Sequence, residues 1–241
     1  MVTYCFQGVI GPSISGGSSL QLAFQRAGQK SGFSSVRAAY QPFKEFKAIW
    51  TKRGDNVDIQ VTDYMRGADQ AMLDEFAECM CRRILTKRSK ELYTQKMRDW
   101  LQSPEFVAMN RQTYLKRSRN IAYTESGANY DLKESLERLV SESMVPEISN
   151  KYITWTKKPN SQRMGYCSVI MRVVAISSAL DNEKVPEFVS DYVLYHELLH
   201  LNDGLKAMGS HHDSAFRARE RAYPKWREAE AILKKVAAKS I

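Results

Sequence analysis

Residues 191–201 read Asp191-Tyr192-Val193-Leu194-Tyr195-His196-Glu197-Leu198-Leu199-His200-Leu201, and the reading of the fold starts from them. On a helix, His196 and His200 stand at i and i+4 and share one face, where two imidazoles can grip a single metal ion. Glu197, one residue after the first histidine, can point at a water on that metal. The chain holds four histidines, and the other two, His211 and His212, follow within a dozen residues. A scarce residue type gathered in one place predicts a metal centre, with zinc as the ion and hydrolysis as the chemistry.

Working outward, Pro186 opens the helix, because proline is favoured in a first turn. Asp203 and Gly204 close it, glycine being the usual residue in the left-handed position past a helix end. Two basic helices follow, one from Ser214 and one near Pro224. Upstream, the β-branched and aromatic run 151–156 predicts a short strand. The apolar run 167–177, dominated by Val169, Ile170, Val173, Val174 and Ile176, predicts a second. Residues 131–145 carry Leu132, Leu136, Leu139, Val140 and Met144 on one helical face. Further back, Met72, Phe76, Met80 and Ile84 mark a helix, and Pro104 opens another. Residues 48–51 and 57–61 alternate around the turn residues Gly54 and Asp55, which predicts a hairpin. Residues 11–19 are rich in glycine and serine, so the first 35 residues read as a partly mobile start.

With 43% apolar and 26% charged residues, the composition is that of an ordinary globular protein. No apolar run approaches the roughly 20 residues of a membrane span, and no secretory leader is visible, so a cytoplasmic chain with no membrane partner is expected. The four cysteines include no C-x-x-C pair and suggest neither a disulfide framework nor a zinc ribbon. The net charge is +9, and most of it comes from the segment 82–119. Tyr93, Trp100, Phe106 and Tyr114 are interleaved there, as in surfaces that bind phosphate backbones and stack bases. Nucleic acid is therefore a candidate partner; a solvated helix face with aromatics turned inward accounts for the same pattern.

A hydrolytic zinc site commonly has three protein ligands and an open position. His196 and His200 supply two, and the third is His212, His211 or Glu220. Histidine binds zinc more commonly than carboxylate does, which ranks Glu220 last. Glu197 is then the catalytic acid/base, taking a proton from a zinc-bound water that attacks a peptide carbonyl and passing it to the leaving amine.

The C-terminal half resembles the SprT-like and YgjP-like (WLM-related) zincin metallopeptidases. The resemblance runs from about residue 131 to 238. It is carried by Arg163, Gly165 and Cys167 before a strand, by the stretch 191–201, and by His212-Asp213-Ser214-Ala215-Phe216 followed by Pro224 and a basic helix. Met164 and Tyr166 stand where the family usually has tryptophan and serine. The resemblance implies His196, His200 and His212 as zinc ligands and Glu197 as catalytic residue. Arg163 and Tyr166, on the turn that departs from the family, are candidate substrate contacts, with a structural ion pair as the other reading of Arg163. It also implies an α+β fold with a compact zincin-like core, in which a small twisted sheet packs on the HExxH helix. The strand after Cys167 becomes the candidate edge along which an extended peptide would lie.

The expected division is a region 1–130, a mainly helical extension with a mobile start, a hairpin and basic helices, and a metallopeptidase core 131–241. A peptide or protein is the expected substrate. Two other readings use the same residues: a zinc-dependent nucleotide pyrophosphohydrolase, and a nucleic-acid-associated binding protein whose zinc is structural.

Overall fold

The computed structural model describes residues 18–86, 93–206 and 211–239. Among them are eight α-helices and two three-stranded sheets, so the fold is α+β. The chain divides into two compact units, 1–100 and 101–241. The division falls earlier than the expected 130/131, so the helix opened by Pro104 belongs to the C-terminal unit.

The N-terminal unit begins with α1 (Ser19–Lys30), capped by the Ser18 side chain. Its buried Leu20, Ala23, Phe24 and Ala27 follow the i, i+3, i+4, i+7 spacing of one helix face. Strands β1 (Ser35–Gln41), β2 (Ala48–Arg53) and β3 (Asn56–Thr62) lie in the order β1-β3-β2. β3 is parallel to β1 and antiparallel to β2, with Arg53 opposite Asn56 across the hairpin turn. A short 3-10 turn leads to α2 (Gln70–Thr86), and α3 (Gln95–Leu101) follows. Val36, Val57, Ile59 and Val61 from the sheet meet Leu20, Phe24, Phe76 and Met80 from the helices. Phe24 and Phe76 touch edge to face at 6.0 Å. Helix α1 occupies residues 19–30 of the stretch read as a mobile start. Residues 1–17, with Cys5, lie outside the described residues.

The C-terminal unit contains α4 (Pro104–Arg117), α5 (Leu132–Ser141), β4 (Tyr152–Trp155), β5 (Gly165–Ser168) and β6 (Val173–Ile176). Helices α6 (Glu187–Asp203), α7 (Ser214–Glu220) and α8 (Trp226–Ala237) complete it. The sheet order is β4-β6-β5, with β6 parallel to β4 and antiparallel to β5. The apolar run 167–177, predicted as one strand, is in fact a hairpin in which Cys167 pairs with Val174. The turn is made possible by Arg172 at a positive φ of 53°. The correction matters for the site, because the strand after the turn is central. β5, which contains Cys167, is an edge strand of this sheet.

Burial decides the place of α6: eleven of its seventeen residues are buried, Val189, Leu194 and Leu198 completely. A helix apolar on nearly every side needs neighbours on nearly every side, and its core also holds Leu139, Ile153, Trp155, Val174, Ile176, Phe216 and Tyr223. Arg138 of α5 clamps its first turns, with its guanidinium on Glu187 at 2.6 Å and on Asp191 at 2.9 and 3.0 Å.

Candidate metal centre

α6 presents His196 and His200 one turn apart and stops at Gly204, whose φ of 68° a residue with a Cβ rarely adopts. The next helix returns the third imidazole. Asp213 caps α7 by accepting from the Phe216 N–H at 2.8 Å. Arg219 forks onto Asp203 at 2.6 and 2.8 Å, and Lys206 bridges Asp203 and Asp213. The Tyr195 hydroxyl donates to the Arg219 carbonyl at 2.6 Å. These bonds fix α7 against the end of α6, with His212 just ahead of it.

The three Nε2 atoms then form a tight triangle: His200 to His212 2.9 Å, His200 to His196 3.2 Å, and His212 to His196 3.3 Å. Tetrahedral zinc, with nitrogen ligands at about 2.0–2.1 Å, separates them by about 3.3 Å. The His196 Nδ1 lies 2.6 Å from Glu220 Oε1, so Nδ1 carries the donated proton and Nε2 keeps its lone pair toward the other rings. Burial, and then the charges of His196 and His212, push the His200 pKa down to about 3. His212 is lowered by the same kinds of cause. Neutral imidazoles facing one another at this spacing cannot all satisfy one another by hydrogen bonding. The donor set therefore fits a bound metal ion, with a carboxylate orienting one ligand from behind.

Phe216 is fully buried beneath the triangle, stacked on His200 at 4.4 Å and edge-on to His196 and His212 at 5.2 and 4.9 Å. His211, one residue from His212, has its ring 6.2 Å from His200 and stands outside the group that can hold one ion. Glu220, weighed from sequence as a ligand, instead supports His196.

Glu197 is 7% exposed, and burial pushes its pKa up to about 8 against the opposing charge of Arg163. The edge strand makes this burial possible. A Cβ on Gly165 would stand 2.7 Å from Glu197 Oε1 and 2.8 Å from Val193 Cγ1, so only glycine lets β5 lie this close to α6. Cys167, two residues on, faces the same side; burial, and then Glu197, hold its thiol well above the ordinary range. Arg163 lies over the Tyr166 ring at 4.9 Å. Its turn is pinned from both sides: Asn160 Oδ1 accepts from the Gln162 and Arg163 N–H groups, and Ser177 Oγ bonds both main-chain groups of Asn160.

The structure thus gathers His196, His200 and His212, and sets Glu197, Arg163 and Tyr166 around the start of β5. Sequence reasoning missed the Arg219–Asp203 fork and the supporting role of Glu220. Each joins residues of different helices, and no periodicity signals such a pairing. Of the aromatics in segment 82–119, Phe106 and Tyr114 are buried and cannot stack on a base, while residues 87–92 lie outside the described residues. Among the described residues no helix is long and apolar enough to cross a membrane. Comparison with protein-family models, curated proteins and solved structures gives no match.

Proposed function

We propose that the chain is a zinc-dependent hydrolase of the metallopeptidase class, with a zincin-like core. The observation that carries this reading is the triangle of His196, His200 and His212 Nε2 atoms beside a buried carboxylate on the same helix. His196, His200 and His212 would hold the ion, and Glu220 would keep His196 in the tautomer that binds. Zinc, when bound, would lower the pKa of its water to about 7 and polarise a carbonyl. Glu197 accepts the proton of the attacking water on its carboxylate and delivers it to the leaving amine. Its buried setting makes the carboxylate a stronger base, which favours the first half of that transfer. β5, an edge strand among the described residues, would take an extended peptide by main-chain hydrogen bonds. Arg163, oriented by Tyr166, would position an acceptor group of the substrate.

The test joins metal content to cleavage. Protein purified without added metal should carry about one zinc per chain, and His212→Ala should lose it. Wild type should cleave casein-derived peptides in a chelator-sensitive way, and Glu197→Gln should keep the metal and lose cleavage. Equal cleavage by wild type and a zinc-loaded Glu197→Gln would overturn the proposal. So would cleavage of nucleoside triphosphates with peptides untouched.

A further inference from the structure

Three consecutive main-chain carbonyls of the C-terminal unit each accept from a different cation. Lys151 Nζ reaches Ile148 O at 2.9 Å, and Arg111 Nη1 reaches Asn150 O at 2.8 Å. Arg172 reaches Ser149 O through Nη2 at 2.7 Å and Nε at 3.2 Å. The three come from separate segments: α4, the residue before β4, and the turn between β5 and β6. Among the described residues none of them forms an ion pair with a carboxylate.

This arrangement is unfavourable for the protein alone. Arg172 sits at a left-handed φ of 53°, which residues other than glycine rarely adopt. Burial works most against its charged form; Cys167 opposes that, and the charge of Arg111 adds a smaller push in the same direction as burial. Two like charges are held together, partly out of water, while each carbonyl uses only some of a guanidinium's five N–H donors. Tyr152 lies beside Arg111, with Tyr123 and Glu125 as its other charged or titratable neighbours. Tyr123 is 48% exposed, and Lys157 stands over its ring at 5.4 Å. Two planar forks match the oxygens of a doubly charged tetrahedral anion, which answers both charges, whereas a carboxylate answers one.

We infer that Arg111 and Arg172, with Lys151 beside them, form a binding site for a phosphoryl group on the C-terminal unit. The site does not depend on the hydrolase reading. Its ligand is a small phosphate monoester, since a backbone phosphodiester, like a carboxylate, answers only one of the two charges.

Thermal unfolding of the full chain in inorganic phosphate, against chloride at matched ionic strength, tests the site. The variants are Arg172→Gln and Arg111→Gln, since glutamine can still donate to the same carbonyl. Phosphate should raise the wild-type midpoint by about 2–4 °C and leave both variants unmoved. In chloride, relief of the like-charge contact should leave the variants at or above the wild type. An equal response to phosphate in all three proteins would mean simple exclusion of the anion from protein surface and would overturn the site. Calorimetric titration of the wild type alone covers the case in which the variants do not fold, and absence of heat with phosphate overturns the site. Comparing glycerol phosphate with a short single-stranded oligothymidylate then tests the ligand class. Tighter binding of the monoester supports the site. Tighter binding of the oligonucleotide with a steep salt dependence would overturn the monoester assignment.

Discussion

In the N-terminal unit the chain runs α1–β1–β2–β3–α2, and in the C-terminal unit α5–β4–β5–β6–α6; in both sheets the last strand lies in the middle, parallel to the first strand and antiparallel to the second. The connectivity is shared and the use made of it is not. Counted from the first helical residue, the positions of His196, Glu197 and His200 in α6 correspond to Cys79, Met80 and Arg83 in α2. The N-terminal strands have six or seven residues and the C-terminal ones four. The close approaches differ as well. In the first unit Gly28 lets α1 settle against Val36 of β1, whereas in the second Gly165 lets β5 settle against Glu197 of α6. The lesson is that this scaffold does not need buried polar groups in the helix that follows its sheet. The C-terminal unit accepts a buried glutamate and three facing imidazoles, and offsets them with the Arg138 and Arg219 clamps.

The comparison breaks hardest at Glu197. Glu197→Gln should lower turnover by about 10²–10⁴-fold with zinc content unchanged; a steady-state assay beside metal analysis reads both. Glu220→Gln should leave the fold intact and weaken zinc binding by about 10–100-fold, measured by chelator competition. Unchanged affinity would reduce the His196–Glu220 bond to packing. Gly165→Ala and Gly28→Ala should each destabilise by about 1–3 kcal/mol, because a methyl group must displace packed neighbours. Only the first should also depress activity, and parallel denaturation and activity measurements separate the two.

The smallest effect concerns pH. Arg219, followed by Lys206, holds the Asp203 carboxyl below its ordinary value. A depressed carboxyl contributes stability above its unfolded pKa of about 3.9 and loses it as pH falls through the folded value. Hydrogen exchange should therefore show α7 loosening first in acid, with α1 and α2 protected at the same pH.

Helix α6 was legible because its ends and its histidine pair are both written locally: Pro186, Gly204, and two histidines at i and i+4. The hairpin 48–62 was legible for the same reason, as alternation bracketing Gly54. Helix α1 was obscured by the glycine- and serine-rich stretch before it and by Gly28 inside it. The β5–β6 turn was hidden because Val169, Ile170 and Met171 look like continuing strand. No glycine, proline or asparagine marks it, and Arg172 takes the left-handed position instead. Glu220 was visible as a carboxylate near the ligands. Whether it would hold metal or hold His196 depended on the angle of α7, which is set by Arg219 on Asp203.

The placement of the third strand governs how each sheet can come into being during synthesis. β4 and β5 are not neighbours, and neither are β1 and β2, so a nascent chain that has reached the second strand has no ladder to form. When the third strand emerges it satisfies both at once, closing the sheet in a single cooperative event rather than by stepwise growth. In the first unit that event depends only on residues before 63. In the second, all three strands precede α6, so every strand of the sheet leaves the ribosome before His196 and His200.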